Sequence, residues 1–337
     1  MLRILVDAMG GDNAPVVVVE GCICAVEEKE GFEILLIGDK KEINKVLSDR
    51  RFHSERIKVI NTTEVISNND APMRAIRTKK DSSLVVGLKM LKENQADVFI
   101  SAGNTGALMA GATFITGRIK GVDRPPLATF LPTKKGTSLL VDAGANTMCK
   151  PVNFLQFAIM GSLYMKKVLG VEKPTVGLIN VGSENEKGSE TIKKAFSLLS
   201  NSNLNFIGNI EGREITDGDV DIIVCDGFTG NVLLKFGEGM LIFILEKLKE
   251  VFSKGLINKI CGILIKKELK KTMKIFDYNE YGAVPLLGVN KKVMKTHGSC
   301  NSLAIKNSVL RALDYGKSDI IEALQQDFKD MEVDEIV

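Results

Sequence analysis

The chain has 337 residues, 45% of them hydrophobic, with 31 glycines and a net charge of only +3. That length buries a substantial core, as roughly two domains or one large α/β unit with an extension. The small net charge argues against a dedicated nucleic-acid binder.

Short apolar runs predict strands over 3–7, 33–37, 57–60, 97–101, 127–131, 138–142, 175–180, 204–208, 220–225 and 293–297. Amphipathic stretches between them predict helices over 15–29, 39–50, 82–94, 105–117, 151–169, 187–200 and 300–316. This alternation implies an α/β fold, with a mostly parallel sheet and helices on both faces. The first strand begins at residue 2, leaving no room for a secretory leader, and no apolar run of about 18 residues is evident. A cytoplasmic protein is expected. Its six cysteines (Cys22, Cys24, Cys149, Cys225, Cys261, Cys300) include no CxxC pair and read as reduced thiols.

Many strands end in polar, glycine-rich loops: VDAMGGD, SAGNTGA, VDAGAN, INVGSENEKG and CDGFTGN. In open α/β sheets the carboxyl ends of strands line the ligand crevice, so these loops predict one site along one sheet edge. Residues 229–276 break the pattern and read as a long helical hairpin interrupted near Ser253–Gly255, outside a core of 1–228 and 277–337. From Lys247 to Lys274 there are nine lysines and two glutamates, 9 − 2 = +7, interleaved with Leu256, Ile257, Ile260, Ile263, Leu264 and Ile265. The segment after Ser318 is acidic.

Several chemistries have little support. Gly10-Gly11 follows a strand but lacks GxGxxG spacing, which disfavours a dinucleotide fingerprint. The Gly316-Lys317-Ser318 ending lacks the first glycine of a phosphate-binding loop, because Arg311 stands there. There is no HExxH, no GxSxG and only two histidines, His53 and His297.

The loops supply other groups. Gly10 and Gly11 let backbone approach a ligand, and Asp12 or Asn13 can cap the helix starting at Pro15. Asn104, Thr105 and Gly106 open a helix where an anion can sit. Asn180, Glu184 and Lys187 share one loop; Lys187 can meet an anion or pair with a surface acid. Asp226 and Thr229 repeat the acid–glycine theme before a helix, with Thr229 a candidate cap, and Asp142 with Asn146 does likewise. His297, beside Gly298 and Ser299 at a strand end, is as consistent with structure as with catalysis.

Taken together, the stretches DAMGGDNAP (7–15), RTKKDSS (77–83), SAGNTGA (101–107), VDAGAN (141–146), NVGSENEKG (180–188), CDGFTGN (225–231), PLLG (285–288) and HGS (297–299) resemble the PlsX family, the phosphate acyltransferases of bacterial phospholipid synthesis. Departures stand at Ala283, where the family has a second glycine, at Met148, and at Cys300. The resemblance implies a fold like the isocitrate/isopropylmalate dehydrogenases without NAD, a homodimer, and no metal or organic cofactor. It also implies transfer of a fatty acyl group from acyl carrier protein to inorganic phosphate, giving acyl phosphate for an acylphosphate:glycerol-3-phosphate acyltransferase.

That reaction needs no strong base or covalent nucleophile, because phosphate is already ionised and a thiolate leaves readily. It needs positioning and oxyanion donors. On this reading Asn104, Thr105 and Gly106 bind phosphate, with Lys187 and Lys80 adding charge. Asn146, Asn180 and Asn231 are donors, and His297, with Ser299 beside it, serves the oxyanion or leaving thiolate. Asp7, Asp12 and Asp226 orient these groups. The hairpin serves dimerisation, with reversible contact to an anionic membrane. Competing readings are a phosphotransacetylase using acyl-CoA, an NAD-dependent dehydrogenase of the isopropylmalate type, and a membrane-surface scaffold that binds acyl carrier protein.

Overall fold

A computed structural model describes residues 1–331. The first lobe runs β1 (Leu2–Asp7), α1 (Val16–Glu28), β2 (Phe32–Gly38), α2 (Lys40–Asp49), β3 (Ile57–Asn61), α3 (Pro72–Thr78), α4 (Ser83–Lys92), β4 (Val98–Ser101) and α5 (Thr105–Gly111). The second runs β5 (Ala128–Thr133), β6 (Gly136–Val141), α6 (Pro151–Leu169), β7 (Thr175–Ile179), α7 (Glu190–Ser200), β8 (Asn205–Ile210) and β9 (Ile222–Val224). Two largely exposed helices follow, α8 (Gly227–Ser253) and α9 (Gly255–Met273). The chain then returns to the first lobe as α10 (Tyr278–Tyr281), β10 (Val284–Leu286), β11 (Lys292–Lys295) and α11 (Ser302–Lys317), and α12 (Ile320–Met331) packs on α6.

The strands form two sheets, not one, in the orders β10-β11-β4-β1-β2-β3 and β5-β6-β9-β7-β8. All pairs are parallel except β10 with β11 and β5 with β6. The polar loops are therefore divided: DAMGGD and SAGNTGA close the first sheet, and the other three close the second. In the first sheet, alternation sends Ile4 and Val6 toward α1 and α11, and Leu5 toward α4 and α5. One continuous apolar core then runs from this sheet through Leu139, Val176 and Ile222 of the second. Antiparallel bridges at Leu127–Leu286 and Arg118–Val289 tie the lobes' backbones together.

Four elements went unpredicted for local reasons; one is α10, a single turn of four residues. The α3 helix is only seven residues long and starts at a proline, Pro72. The β10 strand has three residues and contains Pro285. The α12 helix lies in the acidic segment after Ser318, but its Ile321, Leu324 and Phe328 are buried at helical spacing while Glu322, Asp327 and Lys329 lie outward. The rest of that acidic segment, 332–337, lies outside the described residues. The substitution at Ala283 is accommodated: Gly282 keeps the positive φ of 70°, and Ala283 is fully buried.

Contrary to the expectation of no bilayer-length apolar run, α8 is long and apolar enough to cross a membrane by length and composition. Its first turn is locked to the second lobe. Asp226 is its N-cap, accepting from the Thr229 N–H at 2.9 Å. A methyl on Gly230 would sit 1.9 Å from the Asp142 carbonyl oxygen, and one on Gly227 would sit 2.7 Å from the Asn146 nitrogen. By contrast, nothing lies within 4 Å of a methyl on Gly237. Gly230→Ala should therefore destabilise the fold by about 1–3 kcal/mol. Gly237→Ala, in the same helix, should stabilise it by up to ~1 kcal/mol. Thermal unfolding followed by circular dichroism checks this; equal losses for both variants would contradict the docking.

Candidate active site

The last residues of β1, β4 and β11 are Asp7, Ser101 and Lys295, and the parallel register sets Ser101 beside Lys295. All three are buried. Ser101 Oγ donates to Asp7 Oδ2 at 2.7 Å and accepts from the Gly103 N–H at 3.0 Å. The Met9 N–H donates to Asp7 Oδ1 at 3.2 Å. Burial pushes the Asp7 carboxyl up; Ser83, Ser101, the Met9 N–H and the Lys295 charge pull it back.

Close packing accounts for the paired glycines of DAMGGD. A methyl on Gly10 would sit 2.6 Å from the Gly103 nitrogen, and one on Gly11 would sit 3.0 Å from the Gly298 carbonyl oxygen. Gly11 also has a φ of +104°. The two glycines let three loops nest, and the Asp12 N–H donates to the Gly298 carbonyl at 2.8 Å. Neither Asp12 nor Asn13 caps α1: Pro15 holds the cap position and no side chain serves there. Asp12 instead accepts from Asn68 Nδ2 at 3.2 Å.

Asn104 is the N-cap of α5, accepting from the Ala107 N–H at 2.9 Å. Its Nδ2 donates to the carbonyls of Ser67, Asn68 and Asp70 at 3.1–3.3 Å. This amide holds the loop over 67–70. Gly106 faces Pro72, 2.7 Å from where a methyl would stand. Thr105 and Lys80 are exposed nearby, on α5 and after α3.

The second lobe repeats the design. Asp142, fully buried after β6, accepts from the N–H groups of Leu127, Gly144, Ala145 and Asn146 and from Asn146 Nδ2, all at 2.7–3.2 Å. Burial nevertheless pushes its carboxyl up. Asn146 also donates to the Pro125 carbonyl at 3.0 Å, and its own carbonyl accepts from the Gly227 N–H at 2.7 Å. Asn146 thus braces this loop against α8. Asn180 likewise closes its own loop, donating to the Lys187 carbonyl at 3.0 Å and accepting from the Val181 N–H at 2.8 Å. Glu184 and Lys187 stand exposed and 3.9 Å apart, a pair of little energetic consequence. Thr229 does not cap α8; its Oγ1 donates to the capping Asp226 at 2.9 Å.

What unites the lobes is one face of α8. Asn231, Lys235 and Glu238 follow at i, i+4 and i+7, so they share a stripe. Asn231 abuts Gly144 of the second lobe. Lys235, paired with Glu238 at 2.9 Å, acts electrostatically on His297 of the first. Partial desolvation and then the Lys235 charge hold the His297 pKa below its usual value, so the ring is neutral near pH 7. The Ser299 N–H donates to His297 Nδ1 at 3.3 Å and the Ser299 hydroxyl lies 2.9 Å from the same atom. Accepting at Nδ1 puts the ring proton on Nε2, assigned from these hydrogen bonds, and makes His297 a neutral donor.

Thiols around the site are not nucleophiles. Burial pushes Cys149 up to about 12, Cys300 up to about 11, and Cys225 well above its ordinary value. Lys235 and Lys295 were missed by sequence reasoning. The signals were there: Lys235 is four residues after Asn231, and Lys295 ends its strand as Asp7 and Ser101 end theirs. Both become visible only once helix phase and strand register are known.

The sequence matches the family described as fatty acid synthesis protein over residues 2–323. It is 53% identical to a phosphate acyltransferase of Acetivibrio thermocellus, covering 99% of this chain and 98% of the relative. It is 49% identical to a phosphate acyltransferase of Alkaliphilus oremlandii, covering 99% of each. In fold it is similar to a phosphotransacetylase from Streptococcus pyogenes, with a TM-score of 0.62, 15% identity and 94% of each chain covered. A branched-chain phosphotransacylase from Enterococcus faecalis gives 0.58, 12% identity and coverage of 94% and 100%. At these identities the two structures speak for the α/β fold alone. The sequence relatives go further: the chain is an acyltransferase enzyme and belongs to the fatty acid synthesis family of phosphate acyltransferases.

Proposed function

We propose that the protein transfers a fatty acyl group from acyl carrier protein to inorganic phosphate. A phosphate oxygen attacks the thioester carbonyl, the C–S bond breaks, and the carrier leaves as a thiolate that takes a proton from solvent. The observation that carries this reading is a donor set without an activated nucleophile. His297 is neutral, the neighbouring thiols are pushed up, and Lys235 and Asn231 line one face between the lobes. Such a site works by placing phosphate beside the carbonyl and stabilising the tetrahedral oxyanion.

In this proposal His297 donates through Nε2 to the oxyanion, and Asn231 donates from the facing helix. Thr105 with the N–H groups opening α5, Lys80, Lys187 and Lys235 supply the phosphate side. Asp7, Asp12, Asp142 and Asp226 shape the loops, since a carboxylate against phosphate would repel it. The acyl-CoA-using reading differs only in the carrier, and the basic, apolar α8–α9 hairpin favours an acidic protein carrier. The dehydrogenase-like ancestry of the two-lobed core, and its use without NAD, belong to the same proposal, and an NAD titration tests the dehydrogenase alternative.

Incubation with long-chain acyl carrier protein, with and without phosphate, followed by hydroxylamine trapping, is the direct assay. Phosphate-dependent carrier release with an acyl hydroxamate is expected. Product from acyl-CoA but not from the carrier protein would replace this reading with the phosphotransacetylase one. His297→Ala should lower kcat about 10²–10³-fold, the effect of losing one oxyanion donor. His297→Gln should recover part of it, with the KM for phosphate little changed. An Ala variant at the full rate would remove His297 from the site.

The exposed apolar residues of α9, including Leu256 at 76% and Ile257 at 77% exposure, fit a cytoplasmic homodimer that also touches an anionic membrane. There the acyl phosphate would pass to an acylphosphate:glycerol-3-phosphate acyltransferase. Replacing Leu256, Ile257 and Ile260 by serine should abolish sedimentation with vesicles of anionic phospholipid. Undiminished sedimentation would rule out this surface.

A further inference from the structure

Lys295 is 7% exposed, and its ammonium hydrogen-bonds to carbonyls, not to a carboxylate. Nζ donates to the Ala102 carbonyl at 3.2 Å and to the Thr296 carbonyl. Ala102 opens the loop after β4, and Thr296 precedes His297 in the loop after β11. A buried ammonium is expensive to hold, and a methylene chain would fill the same space without that penalty. The charge therefore needs a reason beyond packing.

We infer that Lys295 is the positioning residue of the active site, tying the Ala102 and Thr296 carbonyls together and thereby fixing where His297 stands. The inference rests on the acyl-transfer reading, because it is the placement of His297 as oxyanion donor that the tie serves. The cation also sets the charge beneath the nested loops of the first lobe. The Ser101 and Lys295 strand ends are neighbours in register, so a shift at one moves the other.

The groups that face Lys295 are Asp7 at the end of β1, Asp12 in the next loop, Cys300 after β11, and His297 itself. Cys300 is pushed up to about 11 and stays neutral. Desolvation pushes Lys295 down to about 8 against the pull of Asp7 and Asp12. The lysine is charged below that pH and neutral above it, so the tie weakens as pH rises through about 8.

The test compares the full-length wild type with Lys295→Met and Lys295→Arg, using long-chain acyl carrier protein and phosphate. Wild-type kcat should fall as pH rises through about 8. Lys295→Met should lose about 100-fold in kcat, the scale of a misplacement of about 1 Å, with the KM for phosphate nearly unchanged. It should also lose the alkaline limb. Lys295→Arg should restore much of the rate and hold it at alkaline pH, because guanidinium stays charged. Overturning results are a Met variant with the wild-type rate and profile, or an Arg variant that still fails above pH 8. If neither variant folds, a wild-type profile that stays level through this range overturns the inference.

A second readout is independent of turnover. The chain has two histidines, His53 and His297, so His53→Asn assigns the ring signals in an NMR titration. The Lys295 charge lowers the His297 pKa, so Lys295→Met should raise it. An unmoved His297 would overturn the inference. A wild type without turnover would strike down the acyl-transfer reading and leave this titration to decide on the tie.

Discussion

Burying a carboxylate at the end of a strand is costly unless donors converge on it, and both lobes are built around that constraint. Asp7 draws in Ser101, Ser83 and the Met9 N–H. Asp142 draws in four N–H groups and an asparagine amide. Each acid folds its own loop back toward the strand and opens a surface for neighbouring loops. In the first lobe that surface receives Gly103 and Gly298; in the second it receives the opening of α8. The two strand-end acids thus organise the loops around them.

The second consequence concerns α8. Its first turn can dock only because Gly227 and Gly230 let helix backbone reach the Asp142 loop. Once anchored there, the helix leaves the second lobe and carries Lys235 into electrostatic range of His297 in the first. A polar stripe between two lobes follows from a cap, two glycines and helical phase. The proposed chemistry uses what that arrangement offers: neutral donors and fixed positive charge, with thiols held protonated by burial.

Much of this was legible in sequence. Ten strands and seven helices were placed closely, because alternation and helical periodicity report local burial; α6 matches its predicted span of 151–169. The polar, glycine-rich loops after the strands were also visible. What failed is instructive. A single sheet was expected because strand order is set by long-range pairing, which no local pattern encodes. The structural partners of Asn104, Asn146 and Asn180 were equally hidden: each holds its own loop in place. An asparagine in a loop after a strand looks the same in sequence whether its amide closes a turn or meets a ligand. Lys295 was hidden for the opposite reason: it reads as the edge of a basic strand until register sets it beside Ser101.

The central claim is that the site acts by positioning and oxyanion stabilisation, with phosphate attacking the thioester directly and no acyl group held on the enzyme. Isotope exchange tests it most directly. Enzyme, unlabelled acylated carrier and radiolabelled free carrier would be incubated without phosphate, and label in the acylated carrier would be counted over time. No exchange is expected until phosphate is added. Exchange without phosphate would require an acyl-enzyme and would contradict it.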